Sequence, residues 1–128
     1  MQTKMSTGNP QFSSPKELYR VLAQVWAGDT ASPPDSWSPQ VPAKNHCSVT
    51  SLIVQDYFGG EILSTKTSGG THFYNSINGI KWDLTVSQFA EPEPCDDTLS
   101  SRELALLDTS EHKYRLLRDR LKAFFGKI

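Results

Sequence analysis

The sequence predicts a single α+β domain with an N-terminal helix, a buried helix that carries Cys47, a small antiparallel sheet and a C-terminal helix. Apolar residues at helical spacing predict the helices. Asn78-Gly79, flanked by apolar residues, is a strong local signal for a β-hairpin. A chain of 128 residues is long enough for one hydrophobic core. We therefore expect residues 1–12 to form a disordered polar tail and residues 13–128 to form one domain.

Composition narrows the class of partner. The 13 basic and 14 acidic residues give a net charge of -1, and no basic block runs along the chain. This balance disfavours nucleic acid and anionic membranes as partners. The N-terminal residues lack the apolar run of a signal peptide or membrane span, so we expect a soluble, cytoplasmic protein. In that compartment Cys47 and Cys95 are expected to be reduced thiols.

Capping residues mark the first helix and the region that follows it. Ser14 and Pro15 suit the N-cap and the first helical position, and Gly28 is placed to end the helix. Residues 29–44 contain four prolines, which exclude a long helix or a central strand. We expect an ordered surface crossing there, with Trp37 as its anchor.

The second predicted helix carries the candidate nucleophile. Asn45 suits the N-cap, apolar residues follow at helical spacing, and Gly59 suits the C-terminal end. Cys47 would then lie in the first turn, where the helix dipole and unpaired N–H groups lower a thiol pKa. The alternative is that Cys47 is a small buried apolar residue without chemistry.

The hairpin register places a histidine beside an aspartate. A two-residue turn pairs Ile77 with Ile80, and the same register continues outward until His72 faces Thr85. His72 and Asp83 then lie on one face as diagonal neighbours, with Cα atoms roughly 7–8 Å apart. Such a carboxylate can fix the tautomer of the imidazole. The alternatives are a strand-edge histidine satisfied by solvent and a solvated acid.

Together these residues predict a cysteine-dependent acyl-transfer enzyme. Cys47 is the expected nucleophile, His72 the base and Asp83 the group that orients it. Gln88 and Asn75 are further candidates for substrate binding. Water as the acceptor makes the enzyme a hydrolase, and an amine makes it a transamidase. We expect a peptide or small acyl substrate and no cofactor. The alternative is a noncatalytic binding or accessory protein, including a bacterial effector, in which these residues are structural.

Zinc is a weaker alternative. His46, Cys47, His72 and Cys95 are the residue types that bind zinc, but they lack the C-x-x-C or H-x-x-x-H spacing of zinc sites. We therefore expect no metal.

Two segments resemble the YunG family of small, largely uncharacterised bacterial proteins. The segments are TSLIVQDYFGGEIL, residues 50–63, and THFYNSINGIKWDLTVSQF, residues 71–89, and the likeness extends from about Trp26 to Phe89. The family pattern has a cysteine at the head of the helix, a histidine before an aromatic pair, then D-L-T and Q-F. Those positions here include Cys47, His72 and Asp83.

The same order of residues is similar to the papain and transglutaminase fold group, which implies a thiol hydrolase or transamidase. YunG relatives often have glutamine directly before the cysteine, where this chain has His46. The resemblance therefore leaves Asn45, or the backbone N–H of Cys47, to stabilise an oxyanion.

The C-terminal part is predicted to be structural. Residues 91–98 read as an acidic surface loop, Ser100 as the cap of a short helix, and Ser110 as the cap of a last amphipathic helix.

Overall fold

The computed structural model describes residues 12–89, 91 and 95–125. Its elements confirm the predicted α+β class. The helices are α1 Pro15–Val25, α2 Cys47–Phe58, α3 Arg102–Asp108 and α4 Glu111–Phe125. The strands are β1 Glu61–Thr67, β2 Gly70–Ile77, β3 Ile80–Trp82 and β4 Thr98–Leu99, and short 3-10 turns cover Gly28–Thr30 and Val86–Gln88. Within the described residues, no helix has the length and apolar character needed to cross a membrane.

Most of the expected N-terminal tail, residues 1–11, lies outside the described residues. Phe12, the last residue of that expected tail, packs edge-on against Tyr57 and Phe125, with ring centroids 5.1 and 5.2 Å apart. It therefore extends the core cluster at the start of α1.

Local capping accounts for the helix starts. Ser14 caps α1, where its Oγ accepts from the backbone N–H of Glu17 at 3.3 Å. The helix ends at Val25, earlier than the predicted Gly28, which instead begins a 3-10 turn. The cap of α3 is Ser101 rather than Ser100, because the Oγ of Ser101 accepts from the N–H of Leu104 at 3.2 Å.

Helix α2 lies at the centre of the molecule. It contacts β2 on one side and α1, α3 and α4 on others, so every residue from Ser48 to Val54 is buried. Trp26 closes one end of this core and donates from Nε1 to Thr50 Oγ1 at 3.1 Å. Trp37 Nε1 donates to the carbonyl of Pro42 at 2.9 Å, a hydrogen bond between two residues of the proline-rich crossing.

The sheet is antiparallel with strand order β3-β2-β1-β4. The predicted hairpin register is confirmed, since Ile77 pairs with Ile80 and Asn75 pairs with Trp82. β3 ends at Trp82, however, so the expected pairs of Asp83, Leu84 and Thr85 with β2 do not form. Asp83 turns the chain instead, as its Oδ1 accepts from the N–H and hydroxyl of Thr85 at 3.2 and 3.3 Å.

The short β3 leaves part of the β2 edge open. Backbone groups alternate in direction along an antiparallel strand, so those of Thr71 and Phe73 point toward the same edge as those of Asn75. Asn75 pairs with β3, but the strand ends before it reaches Phe73. The start of α2 approaches this open edge.

Candidate active site

Cys47 is the first residue of α2, but Asn45 is not the N-cap that the sequence predicted. The cap is His46, whose side chain makes no capping bond. Asn45 has a φ of +63°, outside the extended conformation of an N-cap. Its Nδ2 donates to the carbonyl of Pro33 at 2.9 Å and to Ser36 Oγ at 2.7 Å. Contacts with the proline-rich crossing therefore hold Asn45 in the left-handed conformation.

His46 is fully buried behind the helix start. Its Nδ1 lies 2.9 Å from the carbonyl of Lys44, and its Nε2 lies 2.7 Å from Thr30 Oγ1. A carbonyl only accepts, so Nδ1 carries the hydrogen and Nε2 is the acceptor. Burial lowers the pKa of His46 to about 4, which keeps the ring neutral at pH 7. Both nitrogens are engaged in the interior.

The thiol of Cys47 lies at the open β2 edge. Its Sγ is 3.9 Å from the carbonyl oxygen of Thr71, to which it donates. Burial raises the pKa of the thiol to about 12, the backbone N–H of Phe73 acts in the opposite direction, and the charge of Asp108 raises it further. The lowered thiol pKa predicted from the helix terminus is therefore wrong, because the cost of burying a thiolate outweighs the helix N-terminus. The resting thiol is protonated.

His72 and Asp83 form the predicted pair. Nε2 of His72 lies 2.6 Å from Asp83 Oδ2, although Asp83 is outside the strand ladder. His72 is 4 % exposed, so it is not a solvated edge residue. Its ring stacks on Tyr74 at 5.7 Å and meets the edge of Phe89 at 4.8 Å.

The second nitrogen of His72 has no hydrogen-bond partner. Among the described residues, Nδ1 of His72 is the one buried side-chain nitrogen or oxygen in this condition. Buried polar atoms are nearly always paired, so an exception of this kind requires an explanation. Nε2 donates to a carboxylate, so a neutral ring presents a bare lone pair at Nδ1.

The side chains of Gln88 and Asn75 both make hydrogen bonds within the fold. Gln88 Oε1 accepts from the backbone N–H of Asn45 at 3.3 Å, and its Nε2 donates to Thr85 Oγ1 at 3.1 Å. Asn75 is buried and donates to the carbonyl of Ser51 at 3.0 Å. The sequence argument gave Thr85 no role in the site. The sequence feature that could have indicated Thr85 is the Asp-x-Thr spacing of residues 83–85, which is typical of an Asx turn.

A cleft of about 400 Å³ connects these groups. Cys47 and His72 both line it, together with Asn45, Gln88 and the 67–71 hairpin tip. Lys44 and Asp108 supply its charges, one of each sign. Asp83 is not part of the lining and lies behind His72. The cleft has the size of a small ligand or a peptide side chain.

Neither a disulfide nor a metal cluster occurs in the described residues. Cys47 and Cys95 are not joined. No group of three or more His, Cys, Asp or Glu side chains in that part of the chain is close enough to hold a metal ion.

Comparison with known proteins identifies the family. The family model described as YunG protein matches residues 14–126. A relative from Bacillus subtilis (strain 168), named Uncharacterized protein YunG, is 40% identical over 108 residues, which cover 84% of this chain and 91% of the relative. No solved structure gives a significant match. The chain belongs to the YunG family.

Proposed function

We propose that this protein is a cysteine-dependent acyl-transfer enzyme with Cys47 as nucleophile, His72 as general base and Asp83 as the group that orients the base. The observation that carries the proposal is the buried, unpartnered Nδ1 of His72, a residue that lines the same cleft as Cys47. The Asp83 bond at Nε2 supports it, because a base must be held in one tautomer.

The protonated thiol determines the order of events. As Sγ of Cys47 bonds to a substrate carbonyl carbon, its proton moves to Nδ1 of His72. The tetrahedral intermediate then collapses, the carbon–leaving group bond breaks, and the leaving group takes the proton from Nδ1. A thioester on Cys47 remains. Water or an amine attacks it, gives its proton to Nδ1, and the same proton returns to Sγ as the thioester bond breaks.

The first turn of α2 supplies the oxyanion donors in this proposal. N–H groups in the first turn of a helix have no intrahelical acceptor, and they attract negative charge. The backbone N–H of Cys47 is in this position. The side-chain amide of Asn45 is less suited, because Pro33 and Ser36 already accept from it.

The substrate in this proposal is a peptide or a small acyl compound, as the volume of the cleft allows. We assign the enzyme to the cytosol, where a nucleophilic thiol stays reduced. The proposal is consistent with a papain- or transglutaminase-like mechanism, with hydrolysis and transamidation as its two outcomes.

Acylation by p-nitrophenyl acetate tests the proposal. In a Cys95→Ser background, we expect a burst of one equivalent of nitrophenolate and an acetyl group on the Cys47 peptide by mass spectrometry. His72→Ala should slow the burst about 100-fold or more, in the range for loss of a general base. Circular dichroism and thermal melting show whether the variant keeps its fold. Acetylation at the same rate in both proteins would overturn the proposal.

The second candidate is a noncatalytic binding protein, and the raised pKa of the Cys47 thiol favours it. In that case the thiol is structural and Sγ simply satisfies the carbonyl of Thr71. Cys47→Ser would then bind the same ligand as the parent. The acylation experiment separates the two, because a structural thiol gains nothing from His72.

A further inference from the structure

We propose that a hydrogen-bond relay through Gln88 and Thr85 sets the tautomer of His72 from the backbone N–H of Asn45. Neither Gln88 nor Thr85 is a catalytic residue here, and both are positioning residues that act through Asp83. The importance of the relay for catalysis rests on the proposed function. The positions of the hydrogens in the relay do not depend on it.

The direction of the first hydrogen bond in the relay is set by the backbone N–H of Asn45. A backbone N–H can only donate, so the Gln88 atom 3.3 Å from the nitrogen of Asn45 must be the amide oxygen. The amide nitrogen of Gln88 then faces Thr85, and it donates to Oγ1 at 3.1 Å. These two bonds fix the orientation of the Gln88 amide.

The polarity then passes through the hydroxyl of Thr85. Oγ1 receives a hydrogen from Gln88, and its own single hydrogen goes to Asp83 Oδ1 at 3.3 Å. The same oxygen accepts from the backbone N–H of Thr85 at 3.2 Å. Oδ1 of Asp83 thus accepts from two donors, both on Thr85.

The last step reaches the imidazole. A carboxylate only accepts, so Nε2 of His72 donates to Asp83 Oδ2 at 2.6 Å. Nδ1 is therefore the bare nitrogen of the neutral ring, and it is the atom without a partner. The bonds from Asn45 through Gln88 and Thr85 all donate toward Asp83, and the bond from His72 donates to the same carboxylate from the other side.

The relay connects the two halves of the proposed site. Asn45 lies two residues before Cys47, on the segment that leads into α2. The backbone that positions the thiol is thus the same backbone that fixes the tautomer of the base. Displacing the helix start would release Gln88 and loosen Asp83.

Gln88→Glu tests the relay with little change in shape. The new carboxylate still accepts from Asn45, but it cannot donate to Thr85 and competes with Asp83 for the hydroxyl hydrogen. Nitrogen-15 chemical shifts of His72 in the full-length protein report the tautomer directly. We expect the Nε2–H form to predominate in the parent, and the ratio of Nδ1–H to Nε2–H to rise about fivefold to tenfold in the variant, as for the loss of one hydrogen bond.

Two substitutions of Thr85 provide an independent test, one that removes the hydroxyl and one that keeps it. Thr85→Val removes the hydroxyl and should produce the same shift, whereas Thr85→Ser keeps the hydroxyl and should restore the tautomer of the parent. Thr65→Val is the matched control, because Thr65 pairs with His72 across β1 and β2 and bonds through Oγ1 to the N–H of Asp96 instead. It should leave the tautomer unchanged.

The outcomes separate the relay from the proposed function. Unchanged His72 shifts in both Gln88→Glu and Thr85→Val would overturn the relay, even if His72→Ala abolishes acylation. A changed tautomer in both variants, with no His72-dependent acylation in the parent, would support the relay and refute the enzyme.

Discussion

Buried His46 predicts a specific loss of stability in acid. Its pKa is lowered from 6.5 to about 4 because the ring is buried. The unfolded chain therefore takes up a proton between these values that the folded protein resists. The free energy of unfolding includes the full contribution of His46 above pH 6.5 and loses it progressively as the pH falls toward 4.

The size of the effect follows from the pKa difference. At about 1.4 kcal/mol per pH unit, the interval from 6.5 to about 4 amounts to about 3 kcal/mol. This is a large share of the 5–15 kcal/mol typical of a domain. Below pH 4 the folded protein also binds the proton, so the contribution of this residue becomes constant.

Urea unfolding of the parent and of His46→Gln, from pH 7.5 to pH 4, measures the contribution. Other groups titrate in both proteins, so the difference between the two curves isolates His46. We expect the advantage of the parent to shrink by about 3 kcal/mol across this range. Parallel curves would refute the argument and show that the buried ring titrates as it does in the unfolded chain.

Two further predictions concern the cleft and the end of α2. Asp108→Asn removes a negative charge that raises the pKa of Cys47, so alkylation of the thiol by iodoacetamide at pH 8 should accelerate a few-fold; an unchanged or slower rate would contradict this coupling. Gly59 and Gly60 both have positive φ, but a Cβ on Gly60 would lie 2.2 Å from the carbonyl oxygen of Ser76, whereas one on Gly59 meets nothing within 4 Å. Gly59→Ala should cost about 1–2 kcal/mol and Gly60→Ala about 1–3 kcal/mol more by urea unfolding, and equal costs would contradict the steric argument.

The predictions from sequence succeeded where the determinants are local. The spacing of apolar residues in α2 and the Ser14 cap of α1 depend on neighbours within one or two helical turns. The Asn78-Gly79 dipeptide fixed the hairpin register, and with it the proximity of His72 to Asp83.

The predictions from sequence were wrong where contacts between residues far apart in the chain determine the local structure or the pKa. Asn45 is a good N-cap by residue type, but Pro33 and Ser36 on the proline-rich crossing hold it in another conformation. Burial at the open edge of β2 raises the pKa of Cys47, whereas its position at the helix start indicated a lowered pKa. The spacing of residues along the sequence predicts neither the contacts of Asn45 nor the burial of Cys47.

The two hairpin tips of the sheet are subject to different constraints on length. A one-residue change at Asn78-Gly79 shifts β3 by one position and turns Asp83 away from His72, so that tip has to keep its length. The 67–70 tip lies at the rim of the cleft, and a residue added there leaves the register of β2 with β3 intact. We therefore expect related proteins to differ in loop length at residues 68 and 69. Such changes alter the shape of the cleft, and hence which ligands fit, while His72 and Asp83 stay together.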